Sequence, residues 1–265
     1  MASTQIRRFE RVPVATRRKL RFGPHRSQTA VFRASRRGSA PRPTVMLLHG
    51  GSWSWPYGRW LMVLVARDAR RRGWNTYNVK YRRLGRFGGG GGWPATFTDV
   101  TAALDALVDR LNTGKLGSAA SVDKRVAVVG HSAGGHLALW LAAERSTRLT
   151  GVVSMGGPTD LERLAANPAN VTVIALVEDA PAAERWDLTS PAARLPTGTP
   201  TCLVHGSDDT VVAPEWARRY AELATAAGDA VELHVIDGEK HRDGVRPKSG
   251  QWQATVAAVE RWFSS

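Results

Sequence analysis

The residue types that could do chemistry gather at four places in the chain. Gly130-His131-Ser132-Ala133-Gly134 follows the β-branched run Arg125-Val-Ala-Val-Val and precedes an Ala- and Leu-rich stretch through Trp140. A serine on a sharp strand-to-helix turn holds its hydroxyl out as a nucleophile. Flanking glycines are needed because a Cβ would collide with the neighbouring strand and helix. The five-residue pattern alone arises by chance in roughly a tenth of chains this long. Its flanking elements, and three further motifs in order, give it weight.

The first further motif is His49-Gly50-Gly51-Ser52-Trp53, at the end of the apolar run Pro43-Thr-Val-Met-Leu-Leu48. Glycine lets the backbone turn its amides toward a bound oxygen. In acyl transfer such amides hold the oxyanion, and losing one donor costs about 2.7–4 kcal/mol. The N–H of Gly51 or Ser52, together with that of Ala133, is expected to form the hole. The second is His205-Gly206-Ser207-Asp208-Asp209, closing the run Pro200-Thr-Cys-Leu-Val. Either aspartate could orient an imidazole, and the His-Gly-x-x-Asp-x-x-Val spacing favours Asp209. The other carboxylate then reads as a turn residue. The third is His241, in a loop after the alternating strand Ala230–Ile236 and the turn at Asp237-Gly238. His234 lies inside that strand and reads as structural. His49 and His205 read as orienting residues at strand ends, and His131 and His136 as packed or hydrogen-bonded neighbours of Ser132. His25 carries no signal.

The order Ser132, Asp209, His241 resembles that of the α/β-hydrolases. The chain resembles bacterial esterases of that fold, related to carboxylesterases and kynurenine formamidases. The matching pieces are His49–Trp53, Tyr81-Arg82-Arg83, Gly92-Trp-Pro-Ala-Thr-Phe-Thr-Asp-Val100, Gly130–Gly135, Ser190-Pro-Ala192, His205–Asp209 and His241. The resemblance implies a mostly parallel sheet flanked by helices, with a Ser132-His241-Asp209 triad that cleaves an ester or a small acyl or formyl amide. It departs from the family around the histidine, where Glu239-Lys240 and Arg242 replace apolar and aromatic neighbours. That departure implies an altered pocket rim. Fold alone does not name a substrate. A biosynthetic tailoring enzyme (acyl transfer, thioester cleavage, cyclisation or elimination) would use the same site. A non-catalytic binding module would have no need of nucleophile, acid, base and oxyanion loop together.

Elements must position these groups. Strands are expected over Glu10–Arg21, Thr29–Ala34, Trp74–Tyr81 and Leu149–Ser154. Helices are expected over Arg59–Arg72, ended by Gly73, and over Glu215–Ala227 and Gln251–Phe263. A further helix, opening on a Thr96-Phe-Thr-Asp99 capping box, should run to Leu111. Leu84–Gly92 reads as a flexible glycine-rich loop, without the Gly-Lys-Ser/Thr of a phosphate loop. Residues 161–199, broken by Pro168, Pro181, Pro191 and Pro196, read as a small helical cap between the sixth and seventh core strands. The whole chain, 1–265, reads as one domain.

Of ten tryptophans, Trp53 and Trp55 follow the oxyanion strand and Trp186 lies in the cap. They are candidates to line a channel for a small hydrophobic or aromatic ester, whereas the others read as packing. No cofactor is called for, and no His/Cys/Asp cluster has metal-ligand spacing. The single cysteine, Cys202, reads as a buried strand residue. No signal-peptide core or membrane-length apolar run is visible, so a cytoplasmic location is expected.

Net charge is +14. Residues 1–42 hold twelve Arg or Lys and one acid, Glu10. The basic residues are interleaved with strand-like segments, which favours compositional drift, with 31 Arg against 6 Lys. An acidic carrier protein or a coenzyme A ester remains a second reading. No nucleic-acid motif is present.

Overall fold

The computed structural model describes residues 17–36, 41–116 and 123–264. Its centre is an eight-stranded sheet in the order β1-β2-β4-β3-β5-β6-β7-β8. The strands are β1 (Arg18–Arg21), β2 (Thr29–Arg33), β3 (Thr44–Leu48), β4 (Asn75–Lys80), β5 (Val126–His131), β6 (Gly151–Met155), β7 (Thr201–Gly206) and β8 (Val231–Ile236). β1 and β2 run antiparallel at one edge, and β4 through β8 pair in parallel. The part of the expected first strand before Arg17 lies outside the described residues.

The helices are α1 (Val63–Arg72), α2 (Ala95–Asn112), α3 (Ala133–Glu144), α4 (Leu161–Ala165), α5 (Val171–Val177), α6 (Arg185–Thr189), α7 (Glu215–Ala226) and α8 (Gly250–Ser264). Parallel strands buried on both faces carry continuous apolar runs, as β3 and β5 do. Val45 and Leu47 of β3 pack with α1 and α8 on one face. Met46 and Leu48 pack with α2, α3 and α7 on the other. Gly73, left-handed at φ 110°, ends α1.

The expected Thr96–Asp99 capping box does not form. Thr96 lies inside α2, where its hydroxyl donates to the Arg82 carbonyl at 2.8 Å. Asp99 is fully buried, accepts from the Gln28 amide at 2.8 Å and pairs with the Arg82 guanidinium at 2.7 Å. The tertiary ion pair after β4 thus claims the carboxylate that local capping would have used.

Two relationships position the site. The chain leaves β3 for β4 on one side and returns to β5 on the other, so β3 and β5 flank the point where strand order reverses. Ligands of open α/β sheets bind outside the carboxyl ends of strands at such a point. Leu48 stands opposite Gly130 in register, so the loops that follow, at His49 and at His131, leave the sheet side by side.

Candidate active site

Ser132 sits between β5 and α3 with φ 54° and ψ −122°. A left-handed non-glycine residue is strained and points to a functional constraint. Its N–H donates to the Met155 carbonyl of β6 at 2.8 Å. A Cβ on Gly130 would run into the Gly134 backbone, and one on Gly134 into the Leu48 carbonyl. The glycines of the motif therefore permit the tight strand-to-helix crossing that the sequence implies.

The loop after β3 presses against this turn. A Cβ on Gly50 would lie 2.9 Å from both the His131 carbonyl oxygen and the Ser132 Cβ. Gly51, Ser52 and Trp53 follow with φ of 108°, 48° and 53°. His49 fixes the start of the loop. Its ring stacks on Tyr81 at 4.3 Å and 7°, and the Tyr81 hydroxyl donates to the His49 carbonyl at 2.7 Å. Burial drives the His49 pKa down to about 3, against the bond to the Gly50 carbonyl, so the ring is neutral. Among the described residues the N–H groups of Gly51, Ser52 and Ala133 have no protein acceptor. That of Ala133 is the first of α3, where intrahelical acceptors are lacking.

Asp209 and His241 approach from the ends of β7 and β8. His241 Nδ1 donates to Asp209 Oδ2 at 2.7 Å. Asp209 Oδ1 accepts from the N–H groups of Val211 and Val212 at 2.8 and 2.9 Å. His205 Nε2 lies 3.1 Å from Oδ2. Burial alone would raise the Asp209 pKa, but the bonds from His205, His241 and Val212 outweigh it and hold the carboxylate well below its usual range. Asp208 is exposed and takes a hydrogen bond from the Ser207 hydroxyl at 2.8 Å. The structure brings Asp209, not Asp208, to the imidazole.

His241 is held by its own loop. Asp243 accepts from the Lys240 N–H at 2.8 Å, and Gln251 of α8 reaches the Lys240 carbonyl at 3.0 Å. The carboxylate of Glu239 accepts from the first N–H groups of α8, those of Gly250 and Gln251, where a helix favours negative charge. Glu239 therefore anchors the loop to the start of α8. His131, read in the sequence only as a packed or hydrogen-bonded neighbour, also has a position here. Its Nε2 donates to the His241 carbonyl at 2.8 Å. Burial, then the charge of His241, lowers the His131 pKa to about 4. Its place directly before Ser132 was the only signal.

The three candidate tryptophans separate. Trp53 is 2 % exposed, lies in the core and meets the His136 ring edge-on at 5.2 Å. Trp186 is half-buried against the same core. Trp55 is exposed, lies 5.2 Å from Phe87, and lines a cavity of about 1050 Å³ beside α1. Ser132 does not line that cavity.

Cys202, Glu232 and His234, adjacent on β7 and β8, bring three ligand-type atoms within 4.8 Å of one another, a grouping the sequence spacing did not suggest. Glu232 is already paired with Arg261, and burial pushes the Cys202 thiol up to about 12. A protonated thiol and an occupied carboxylate do not suit a cation.

The sequence pattern of the prolyl oligopeptidase family matches residues 65–265. No curated protein matches the sequence. Solved structures share the fold. A truncated carbohydrate esterase from gut microbiota superposes with a TM-score of 0.77 at 14% identity, over 93% of this chain and 95% of that one. Esterase B from Lactobacillus rhamnosis gives 0.76 at 18% identity, over 93% and 85%. Esterase 2 from Thermogutta terrifontis gives 0.73 at 17% identity, over 95% of both. The architecture is the α/β-hydrolase fold.

Proposed function

The chain belongs to the prolyl oligopeptidase family, and on that premise we propose that it is a serine hydrolase cleaving carboxylic esters through Ser132, His241 and Asp209. One observation carries the reading: the buried Asp209 holds Nδ1 of His241 at 2.7 Å, beside the strained turn that bears Ser132. With its proton on Nδ1, the imidazole has Nε2 free to act as a base.

In the proposed reaction, His241 Nε2 takes the Ser132 hydroxyl proton as Oγ attacks the acyl carbon. The carbonyl oxygen gains the electron pair and is held by the N–H of Ala133 and that of Gly51 or Ser52. The tetrahedral species collapses, the bond to the leaving group breaks, and His241 delivers the proton to it. Water then attacks the acyl-enzyme by the same route, with His241 as base, and frees the acid. Asp209 remains ionised and stabilises the imidazolium. Helices α4, α5 and α6, between β6 and β7, form the proposed cap of a single domain. Carbonyls of α6 receive Nε2 of His136 and Nε1 of Trp140 from α3, at 3.0 and 2.7 Å.

The proposed substrates are small hydrophobic or aromatic esters. The family takes its name from an oligopeptidase, and three structural neighbours are esterases. The discriminating experiment is a panel of aryl esters of rising acyl length, beside N-formylkynurenine, a prolyl anilide and an acyl thioester. Turnover of short aryl esters, abolished in Ser132→Ala, supports the reading. Turnover of the anilide alone would replace it with an amidase, and no turnover of any member would favour a binding module.

A further inference from the structure

The basic residues that are scattered along the sequence meet in space. Among the described residues, the cavity beside α1 is lined by eleven Arg and Lys side chains and no Asp or Glu. Its floor is the α1-side face of the edge strands, where alternate residues share a face: Thr29, Val31 and Arg33 of β2, and Thr76, Asn78 and Lys80 of β4. The exposed Arg67 and Arg71 of α1 form one wall. The segment Trp55–Trp60, with Phe87, forms another. Drift in composition explains abundant arginine but not its concentration on one concave surface.

The cations are unanswered. None of the eleven forms an ion pair among the described residues. Burial, followed by the charges of neighbouring arginines, lowers the pKa of Arg59, Arg70 and Lys80. Several lining atoms are also unpartnered. Among the described residues, Thr76 Oγ1, Asn78 Oδ1 and Arg83 Nε are buried without a hydrogen bond, on residues that are 1 %, 7 % and 5 % exposed. A buried polar atom without a partner costs about 1–3 kcal/mol and calls for an explanation. A ligand that brings negative charge and acceptors supplies one for the two donors, the Thr76 hydroxyl and Arg83 Nε.

We propose that this cavity binds a nucleotide-like polyanion, a flat aromatic ring carrying two or more phosphates. Its volume of about 1050 Å³, near the upper end for small-molecule sites, suits a ligand of nucleotide size. The density of guanidinium groups selects phosphates, which Arg binds bidentately. The exposed rings of Trp55, Trp60 and Phe87 at the mouth select a planar ring over a sugar polyanion. The site touches the candidate oxyanion loop. Trp55, Gly58 and Arg59 line the cavity, a Cβ on Gly51 would strike the Tyr57 side chain between them, and Arg83 donates to the Tyr57 carbonyl. The same chemistry occurs in a free nucleotide and in the nucleotide end of a coenzyme A ester.

The test is calorimetric titration of the full chain with ATP, coenzyme A, tripolyphosphate and adenosine. The Ser132→Ala protein serves equally, because binding does not depend on the hydrolytic reading. ATP and coenzyme A should bind, tripolyphosphate several-fold more weakly, and adenosine not measurably. Raising salt from about 50 to about 500 mM should weaken ATP binding at least tenfold. The double variant Arg67→Glu, Arg71→Glu, on an exposed helix face, should do the same while melting like wild type. Two kinetic arms separate the sources. A coenzyme A thioester whose KM rises in the double variant, with aryl-ester turnover unchanged, marks a substrate handle. ATP that changes aryl-ester turnover in wild type only marks an effector. Absence of ATP and coenzyme A binding at low salt would overturn the proposal. So would binding that the double variant leaves unchanged, or retention of long polynucleotides alone.

Discussion

Nε2 of His131 donates to the backbone carbonyl of His241 at 2.8 Å, and the two rings lie 4.9 Å apart. The residue before the candidate nucleophile thus holds the backbone of the candidate base. Ser132 and His241 come from strands separated by β6 and β7, and this bond ties their loops directly. His131→Phe keeps an aromatic ring and removes the donor. It should lower kcat on an aryl ester by about tenfold to a hundredfold, with KM little changed, because it loosens the position of the base. Steady-state kinetics beside a melting curve check this, and an unchanged kcat would remove the positioning role.

The choice between the two adjacent carboxylates is open to a direct comparison. Asp209→Asn should cut kcat by about 10³–10⁴-fold, because an amide no longer enforces the Nδ1–H tautomer. Asp208→Asn should stay within about twofold, since that side chain is exposed and bonded to Ser207. A more severe loss at Asp208 would contradict the geometry.

Much of this site is legible in the sequence because its parts are local. A strand that ends in Gly-x-Ser-x-Gly can turn into a helix in few ways, and the glycines at 130 and 134 are required by backbone contacts. What the sequence did not show depends on residues far apart in the chain. Asp99 has the spacing of a cap, yet a buried pairing with Arg82 claims it. Trp53 ends the candidate oxyanion loop, yet its left-handed backbone accompanies a ring packed in the core. The cationic cavity draws on residues from Arg17 to Phe87. Only the pairing of β2 with β4, and the return of α1 beside them, makes these residues neighbours.

Three buried histidines set a pH dependence of stability. Burial lowers the pKa of His49 to about 3 and those of His131 and His136 to about 4. The folded values lie below the ordinary 6.5, so the unfolded chain takes up protons first as pH falls. This stabilisation is complete above about pH 6.5 and is lost as pH drops toward 4, at about 1.4 kcal/mol per pH unit for each histidine. His136→Gln, which keeps a donor for the Thr189 carbonyl, should flatten the decline between pH 6.5 and 4 by about one such increment. Denaturant titrations across that range measure it, and an equal slope in variant and wild type would contradict the assignment.

Contact between the two loops predicts a positional effect without a chemical one. A methyl group on Gly50 would sit 2.9 Å from the Ser132 Cβ. Gly50→Ala should therefore displace the turn and reduce kcat by about a hundredfold, with a destabilisation of about 1–3 kcal/mol. Wild-type kcat in this variant would show that the loop and the turn are not in the contact described.

The central claim is that Ser132 is a nucleophile activated by His241. Covalent trapping with a fluorophosphonate, read by intact mass and peptide mapping, tests it without knowledge of the substrate. The account predicts a single adduct on Ser132, much slower labelling in His241→Ala, and none in Ser132→Ala. No adduct on the folded protein, or an adduct on a different serine, would contradict it.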